Sequence, residues 1–213
     1  EIMKREKLLI VCQSEEDVRN QLGEVDEERV RFVEMPTNDT WARDHGGISV
    51  FYTFGPTVYD FVFNGWGMKF PAGKDNQITR NLFHEGIFAD RIQPANMAPF
   101  VLEGGSIESD GQGTLMTTAE CLFSLNRNEY MQREEIENHL KDIFGLSRIL
   151  WIENGFLVGD DTDSHVDTLA RFCREDTIAY VQCTDESDEH YDELQAMEEE
   201  IKAFRQLNGE PYK

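Results

Sequence analysis

Hydrophobic positions recur along this sequence at two spacings, one typical of β-strands and one typical of helices. Short apolar runs and alternations bounded by polar residues predict strands at 7–12, 29–35, 48–53, 57–63, 100–102, 106–108, 114–117, 148–152, 165–173 and 177–183. Apolar residues three or four positions apart predict helices at 14–22, 75–88, 133–144 and 191–207. No Pro-, Gly- or Ser-rich linker interrupts this alternation, so the sequence predicts one α/β domain. The order hairpin, helix, strand recurs about three times, without a sequence repeat that fixes its period.

Polar and glycine residues mark where several of these elements begin and end. Ser14 precedes Asp17 by three positions, which resembles a capping box and predicts the start of the first helix. Gly145 directly follows the third predicted helix, where a left-handed residue commonly ends a helix. Residues 54–56 and 110–113 are turn signals, and they predict hairpins between the strands on either side.

The charge of the chain is strongly negative. It carries 42 acidic and 20 basic residues among 213, a formal net charge of −22 at pH 7. Such a field repels phosphate backbones and anionic lipid headgroups, so we expect neither a nucleic-acid partner nor a membrane partner. It favours a small cationic substrate or a basic partner. Because 39% of the residues are hydrophobic, the chain can bury a core, unlike a disordered acidic tail.

Two further features concern the cellular environment. No apolar stretch reaches the roughly 18 residues that a membrane span needs, and residues 1–10 lack a signal-peptide pattern. The expected location is therefore cytoplasmic. The four cysteines are far apart and form no CxxC pair: Cys12, Cys121, Cys173 and Cys183. We expect each to be a small buried residue, and neither a disulfide framework nor a zinc ribbon is indicated.

Three polar segments lie in connections or at strand ends, where functional side chains of repeated α/β folds collect. They span residues 38–47, 102–106 and 159–167. Each contributes a carboxylate, and these are Asp44, Glu103 and Asp167. If the three converge, they form a buried anionic pocket that requires a cation, since an unpaired buried carboxylate is costly or must take up a proton. The cation is a metal ion or an organic base.

A guanidinium group is an organic base that fits such a pocket, because its five donors lie in a fixed fork that matches carboxylates. Asp44 and Asp167 facing each other would select it. Trp41 would offer a ring face to a cationic or aliphatic part of the same ligand. His165, two residues before Asp167 on an extended segment, would point to the same side and act as general acid/base. Gly104 and Gly105, directly after a carboxylate, allow close approach of a ligand to the backbone.

Each of these residues also has a plain structural interpretation. Trp41 taken alone is most often a packed aromatic residue. Arg43 beside Asp44 could form a surface ion pair of small energetic value. Glu103 could be a solvated strand end, and His165 a hydrogen-bonded histidine without a catalytic role.

A metal site is the alternative to an organic cation. Acidic and histidine side chains alternate at two-residue steps, at Asp161, Asp163, His165 and Asp167. A calcium loop of this register requires glycine at its sixth position and glutamate at its twelfth, where this chain has Val166 and Phe172. No second histidine follows His165 at helical spacing. The residue types and spacing therefore favour an organic cation over a metal ion.

Taken together, these segments resemble one known family. Its tryptophan, arginine, aspartate, glycine signature resembles residues 38–47, and its histidine block resembles 161–167. Its central block resembles 101–106, followed by 110–115, 120–122 and 126–128, and the stretch 63–67 matches as well. The family comprises the agmatine deiminases and the bacterial-type peptidyl-arginine deiminases, within the guanidino-group-modifying enzymes. The resemblance covers nearly the whole chain, with its motifs in the family's order.

The resemblance implies a fold, a reaction and site residues. The fold is the pentein fold, a five-bladed α/β propeller with its site where the blades meet. The reaction hydrolyses a guanidinium carbon to a ureido group with release of ammonia, without metal or organic cofactor. By position, Asp44 and Asp167 would hold the guanidinium nitrogens, His165 would be the general acid/base, and Glu103 would be a further pocket carboxylate. The expected substrate-binding residues are Trp41, Asp163 and Gly104.

The family's nucleophile is a cysteine near the C-terminus, in a glycine-rich segment that this sequence lacks. None of the four cysteines lies in a matching context. We therefore expect residues 1–213 to be about the middle three of five blades, one incomplete domain truncated at both ends. This piece alone is expected to be inactive, its nucleophile coming from outside, and to associate with itself or with a complementing chain.

Two substrates and one non-enzymatic function remain open at this stage. The negative charge of the chain, with Arg43 as the only evident arginine at the site, favours agmatine as the substrate, because agmatine has no carboxylate. The product of this reaction would be N-carbamoylputrescine. Peptidyl-arginine is the alternative substrate. A non-catalytic module that binds guanidinium compounds or polyamines is the alternative of another class.

Overall fold

The computed structural model describes residues 2–213, in which short sheets and helices alternate along the chain. The strands are β1 (Leu8–Cys12), β2 (Val30–Glu34), β3 (Ile48–Tyr52), β4 (Gly55–Val62), β5 (Gln93–Val101), β6 (Ile107–Ser109), β7 (Thr114–Thr118), β8 (Arg148–Ile152), β9 (Ala170–Arg174) and β10 (Thr177–Tyr180). The helices are α1 (Glu15–Leu22), α2 (Ala42–His45), α3 (Gly65–Met68), α4 (Ile78–His84), α5 (Ala119–Leu122), α6 (Arg133–Phe144), α7 (Val166–Leu169) and α8 (Tyr191–Ala203). Single 3-10 turns lie at Ile2–Lys4, Asp75–Gln77 and Gly104–Ser106.

Two three-stranded sheets repeat one topology. In the first, β3 and β4 form an antiparallel hairpin and β5 pairs parallel with β4. In the second, β6 and β7 form the hairpin and β8 pairs parallel with β7. A parallel pair needs a crossover connection, and the helices α4 and α6 lie in these connections. The parallel pair β1–β2 with α1 between them, and the hairpin β9–β10 followed by α8, show parts of the same pattern. The predicted α/β alternation is confirmed.

The hydrophobic core links neighbouring units of this pattern. One cluster joins the two three-stranded sheets to α5 and α6, and a second joins β7 and β8 to α7, α8 and the last hairpin. A smaller cluster packs β1 and β2 against α4. Because each cluster is shared by consecutive units, each unit is held by burial against the next.

Helix α6 illustrates why the sequence folds this way locally. Ile136 and Leu140, one turn apart, are fully buried in the cluster between the two sheets. The side chain of Glu135 accepts a hydrogen bond from the backbone N–H of Gln132 at 2.7 Å, as in a capping box. Gly145 ends the helix in the left-handed conformation, with φ of 65°. These signals are all local, and the observed bounds equal the predicted 133–144.

The structure corrects several predicted elements. Strand β5 begins at Gln93 and not at residue 100, because the two prolines in it hide its pattern. The segment predicted as a strand over 165–173 begins with the one-turn helix α7, so His165 and Asp167 are not two residues of one extended segment. Helix α8 ends at Ala203, since the chain then turns back and pairs Arg205 with Pro211. The one-turn helices α2, α3 and α5 were not predicted.

The cysteines and the helices bear on the two predictions about cellular environment. All four cysteines are free, and Cys12 and Cys121 are buried as expected. Cys173 is exposed and Cys183 is partly exposed, so the expectation of burial was wrong for Cys173. Across residues 2–213, none of the helices has the length and apolar character needed to cross a bilayer.

We expect Leu140→Ala to destabilise the protein by about 2–5 kcal/mol, because it leaves a cavity in a fully buried cluster. Urea denaturation followed by circular dichroism measures this free energy of unfolding. The matched control is Asn138→Ala on the exposed side of the same helix, expected to stay within about 0.5 kcal/mol of the parent. Equal effects of the two variants would contradict the assignment of Leu140 to the core.

Candidate functional site

Three segments that follow parallel strand pairs meet at one place in the fold. Helix α2 follows the β1–β2 pair, the turn Gly104–Ser106 follows β4–β5, and α7 follows β7–β8. Both α2 and α7 contact the turn Gly104–Ser106. The repeated topology therefore brings together parts of the three polar segments that lie far apart in the sequence.

A cavity of about 540 Å³ opens beside this meeting point. Five aspartates and one arginine contribute to its walls within residues 2–213, together with three aromatic rings. Its lining residues are Asp39, Trp41, Arg43, Asp44, Trp66, Phe70, Gly159, Asp160, Asp161, Thr162, His165, Asp167 and Thr168. A second cavity of about 580 Å³ between β1 and α4 has mostly apolar walls and a single carboxylate, so it offers less to a cation.

Asp44 is a buried carboxylate held by two donors at the edge of the cavity. Its Oδ1 accepts a hydrogen bond from the backbone N–H of Gly105 at 2.9 Å. Its Oδ2 accepts one from the indole Nε1–H of Trp66 at 3.0 Å. The two bonds fix the plane of the carboxylate, and each oxygen keeps further acceptor capacity for a ligand.

Gly105 lies where three side chains of the site converge. A Cβ atom at this position would lie 2.6 Å from Asp44 Oδ1, 2.6 Å from His165 Nδ1 and 3.0 Å from Asp167 Oδ2. Only glycine leaves room for this arrangement, since real Cβ atoms do not approach so closely. Gly104 instead faces the backbone of Arg43, with its Cβ position 2.0 Å from that carbonyl oxygen. Of the two glycines predicted to allow close approach, Gly105 is the one that lies against the three site side chains, and the substrate-binding role of Gly104 stays a prediction.

Asp167 lies near Asp44 at this point, and it is half-buried in the first turn of α7. Burial raises the pKa of Asp167, the nearby His165 opposes this, and the negative charge of Asp44 raises the pKa further. Its net pKa lies above the ordinary value of an aspartate. A cation between Asp44 and Asp167 would offset this repulsion.

His165 is 2% exposed and directly precedes α7, in a loop that hydrogen bonds among its own residues stabilise. Asp160 accepts hydrogen bonds from the backbone N–H of Thr162 and Ser164 at 2.9 and 2.8 Å. The Thr162 hydroxyl accepts one from the backbone N–H of His165 at 3.0 Å. In the ring, Nδ1 lies 3.6 Å from Asp44 Oδ1, and Nε2 is buried without a hydrogen-bond partner among residues 2–213. The imidazole is thus placed beside the carboxylates with a free nitrogen.

Glu103 and Asp163 differ from the other predicted carboxylates because protein cations already pair with them. The Nε of Arg127 lies 3.0 and 3.1 Å from the two oxygens of Glu103, and both side chains are fully buried. Arg127 also donates to Asp163 at 2.6 Å, and Lys69 contacts the other oxygen of Asp163. Burial alone raises the pKa of Asp163, but the bonds from Lys69 and Arg127 outweigh it, so the pKa lies below the ordinary value. Neither carboxylate is among the residues that line the cavity, and the roles predicted for Glu103 as a further pocket carboxylate and for Asp163 in substrate binding stay predictions.

Trp41 lines the cavity at its open side and is 62% exposed. This is the position expected for a ring that contacts the aliphatic part of a ligand, and it argues against a packed core residue. Within the same cavity, Asp44, His165 and Asp167 are brought together as the sequence predicted.

Two residues at or behind the site were not identified from the sequence: Trp66 and Arg127. Trp66 lies in α3, a kinked turn in which its φ is 56°, and the flanking glycines share the left-handed region. The glycine–tryptophan–glycine pattern of 65–67 is the signal for this turn, although the pattern does not reveal that the indole bonds Asp44. Arg127 follows a non-helical stretch, and its partners Glu103 and Asp163 are 24 and 36 residues away in the sequence. No local pattern therefore marks it.

One group of side chains resembles a metal site but does not fit one well. A carboxylate oxygen of Glu103, the sulfur of Cys121 and a ring nitrogen of His165 lie within 4.8 Å of one another. Arg127 already bonds both oxygens of Glu103 and would repel a cation. Burial and the charge of Glu103 raise the pKa of the Cys121 thiol well above its usual value, which disfavours the thiolate that a metal requires.

The fold is similar to that of solved pentein-fold deiminases, which are α/β proteins. The crystal structure of a candidate arginine deiminase from Porphyromonas gingivalis is 50% identical, with a TM-score of 0.96, and the match covers 99% of this chain and 62% of that one. A variant of C. jejuni agmatine deiminase with substrate bound is 41% identical, with a TM-score of 0.87, covering 99% and 60%.

The chain belongs to the Porphyromonas-type peptidyl-arginine deiminase family, whose sequence pattern matches residues 1–213. The agmatine deiminase of Ectopseudomonas mendocina is 35% identical over 206 residues, which are 93% of this chain and 54% of that protein. The chain thus spans about half the length of the curated relatives it matches. The family resemblance seen in the sequence is confirmed.

We expect Asp44→Asn to lower the pKa of Asp167, because it removes a negative charge that raises it, while the effect of burial remains. Carboxyl carbon shifts followed by NMR during a pH titration measure this change. Asp142→Asn, on the exposed side of α6, is the control and is expected to leave the titration of Asp167 unchanged. An unchanged or higher pKa of Asp167 in Asp44→Asn would contradict the proximity of the two carboxylates.

Proposed function

We propose that this chain forms the guanidinium-binding and proton-transfer part of an agmatine deiminase, which hydrolyses agmatine to N-carbamoylputrescine and ammonia. The observation that carries the proposal is the pair Asp44 and Asp167, two carboxylates without a protein cation between them, beside a buried histidine. The similarity to agmatine deiminases over 93% of the chain supports the same reaction.

The geometry suits a planar cation better than a compact one. Asp44 presents a carboxylate whose plane two hydrogen bonds fix, and an oxygen of Asp167 lies close to the same point beside Gly105. A guanidinium can donate to both at once through its fork of N–H groups. Binding also lowers the cost of keeping two neighbouring carboxylates ionised, so the substrate itself supplies the missing charge.

His165 is proposed as the general acid/base. When a thiolate adds to the guanidinium carbon, one nitrogen must leave as ammonia and needs a proton, which His165 can supply. Water then adds to the remaining thiouronium, His165 takes up a proton, and the C–S bond breaks to give the ureido product. Within residues 2–213, none of the four cysteines lines the cavity, so the attacking thiolate is assigned to no residue of this chain.

The cavity walls favour a substrate that is cationic at both ends. Beyond the pair at its base, Asp39 and Asp161 add negative charge, and Arg43 is the single arginine in the described lining. Trp41 and Phe70 offer ring faces to a methylene chain between the two ends. Agmatine has this form, with a guanidinium, four methylenes and an ammonium group.

Peptidyl-arginine is the second candidate substrate, favoured by the family to which the chain belongs and by the 50% identity to the arginine deiminase candidate of P. gingivalis. Its guanidinium would use the same pair, Asp44 and Asp167. Its peptide groups are neutral and would gain less from Asp39 and Asp161 than an ammonium does.

Finer points of architecture stay predictions. These are a propeller in which residues 1–213 form about three of five blades, and association with a second copy or a complementing chain. The repetition of hairpin and parallel strand in two sheets supports the blade interpretation. Exposed aromatic side chains on the β3–β4 hairpin, 85% exposed at Phe51 and 72% at Phe54, support association.

Isothermal titration calorimetry with agmatine tests the binding part of the proposal. Asp44→Asn and Asp167→Asn are each expected to weaken affinity by about tenfold to a hundredfold, since each removes a charge-assisted hydrogen bond. Affinity should also fall on acidification while an ordinary aspartate is still ionised, because the pKa of Asp167 is raised and binding needs its charged form. Asp142→Asn is the control. Binding that the two site variants leave unchanged would refute the assignment.

The choice of substrate is tested by comparing agmatine with Nα-acetyl-arginine amide in Asp161→Asn. We expect the affinity for agmatine to fall and that for the amide to stay nearly constant, because only agmatine carries a distal ammonium. Asp161→Glu keeps the charge and serves as the control. Equal losses for both ligands, or tighter binding of the amide to the parent protein, would favour peptidyl-arginine instead.

A further inference from the structure

Arg127 is a fully buried arginine that joins segments from three parts of the chain. Its Nε bonds both oxygens of Glu103, its Nη1 bonds Asp163 Oδ2 at 2.6 Å, and its Nη2 bonds the carbonyl oxygen of Thr162 at 2.8 Å. Glu103 lies beside His165, and residues 162 and 163 belong to the loop that carries His165. All three nitrogens of one guanidinium are thus used around the histidine, and none is directed into the cavity.

The loop before His165 has a backbone that needs such support. Asp163 and Ser164 both have left-handed φ values, of 62° and 60°. A residue with a Cβ atom is strained in this conformation, because its Cβ approaches the following carbonyl oxygen. Such strain persists only where surrounding contacts determine the conformation. Arg127 bonds one of the two strained residues and the residue before it, so it acts directly on this strain.

We propose that Arg127 is a positioning residue, which fixes the His165 loop and Glu103 in one arrangement without touching the substrate. It does so as the permanent counter-cation behind the site, whereas the substrate is the exchangeable one in front of it. Glu103 and the loop residue Asp163 are therefore held in place, and the position of His165 follows from that of the loop.

The contacts continue from Arg127 to a second segment of the site. Lys69 bonds Asp163 and the carbonyl oxygen of Asp161, so the order Glu103, Arg127, Asp163, Lys69 alternates negative and positive charge. Lys69 directly follows α3, which carries Trp66 and its hydrogen bond to Asp44. The His165 loop and the support of Asp44 are thereby tied to each other.

Lysine cannot replace this arginine, although it keeps the charge. An ammonium is a point charge at the end of a flexible stem, whereas the observed contacts need a rigid fork that reaches Glu103, Asp163 and Thr162 at once. Arg127→Lys therefore separates geometry from charge.

Hydrogen–deuterium exchange of the folded protein, followed by mass spectrometry, tests the positioning role. In Arg127→Lys we expect the amides of 160–167 to exchange at least about tenfold faster, because the loop opens more often. Peptides from α6, residues 133–144, should keep their rate. The control is Arg133→Lys, whose partner Glu153 is half exposed, and it should leave 160–167 unchanged. Exchange over 160–167 that does not rise in Arg127→Lys overturns the proposal.

Two further measurements keep the outcome interpretable. If Arg127→Lys does not fold, Lys69→Gln removes the partly exposed end of the charge series. It should raise the amide exchange rate of 160–167 to a smaller extent, and no increase there also overturns the proposal.

The effect on ligand binding rests on the proposed function: agmatine affinity should fall about tenfold in Arg127→Lys, through the misplaced loop. Faster exchange in a protein whose parent form does not bind agmatine would refute the proposed substrate and leave the positioning role in place.

Discussion

The negative charge of Asp44 inside the protein is the constraint around which the site is built. A carboxylate that is 8% exposed must be stabilised by donors or be neutralised by a proton. The backbone of Gly105 and the indole of Trp66 supply the donors, and each comes from a different polar connection of the fold. The left-handed turn that holds Trp66 and the absence of a side chain at residue 105 serve the same carboxylate. The site therefore depends on several segments being in register at once.

The acidic residues of the site fall into two groups that differ in their counter-ions. Glu103 and Asp163 have protein cations within hydrogen-bond distance, and they organise the loop that carries His165. Asp44 and Asp167 form no ion pair with a lysine or arginine among residues 2–213, and burial, with a smaller contribution from the negative charge of Asp44, raises the pKa of Asp167. Arg127 thus separates the structural carboxylates from those proposed to bind the ligand, because it lies behind the histidine and leaves the front of the pocket negative.

Much of the fold follows from local patterns, whereas the site depends on contacts between distant residues. Helix α6 could be predicted to the residue because its apolar spacing, its capping glutamate and Gly145 are all close in sequence. Strand β5 and helix α7 were predicted wrongly. Tertiary contacts stabilise the prolines within β5 and the left-handed backbone just before α7, and a local pattern does not show such contacts. The types and placement of Asp44, His165 and Asp167 suggested a cation pocket before any coordinates. The partners of Arg127 could not be predicted, because charge pairing across 24 and 36 residues leaves no periodic signal.

The unpaired aspartates of the cavity act beyond contact distance. Their field adds to that of a chain with a net charge of −22, and clefts with low-dielectric walls concentrate field lines. Cations arriving from solution are therefore enriched at the entrance and drawn inward before any hydrogen bond forms. This attraction extends over a Debye length of about 8 Å at physiological ionic strength. The capture rate of a doubly charged ligand then depends steeply on salt, while the rate at which it escapes depends mainly on the short contacts at the base of the pocket.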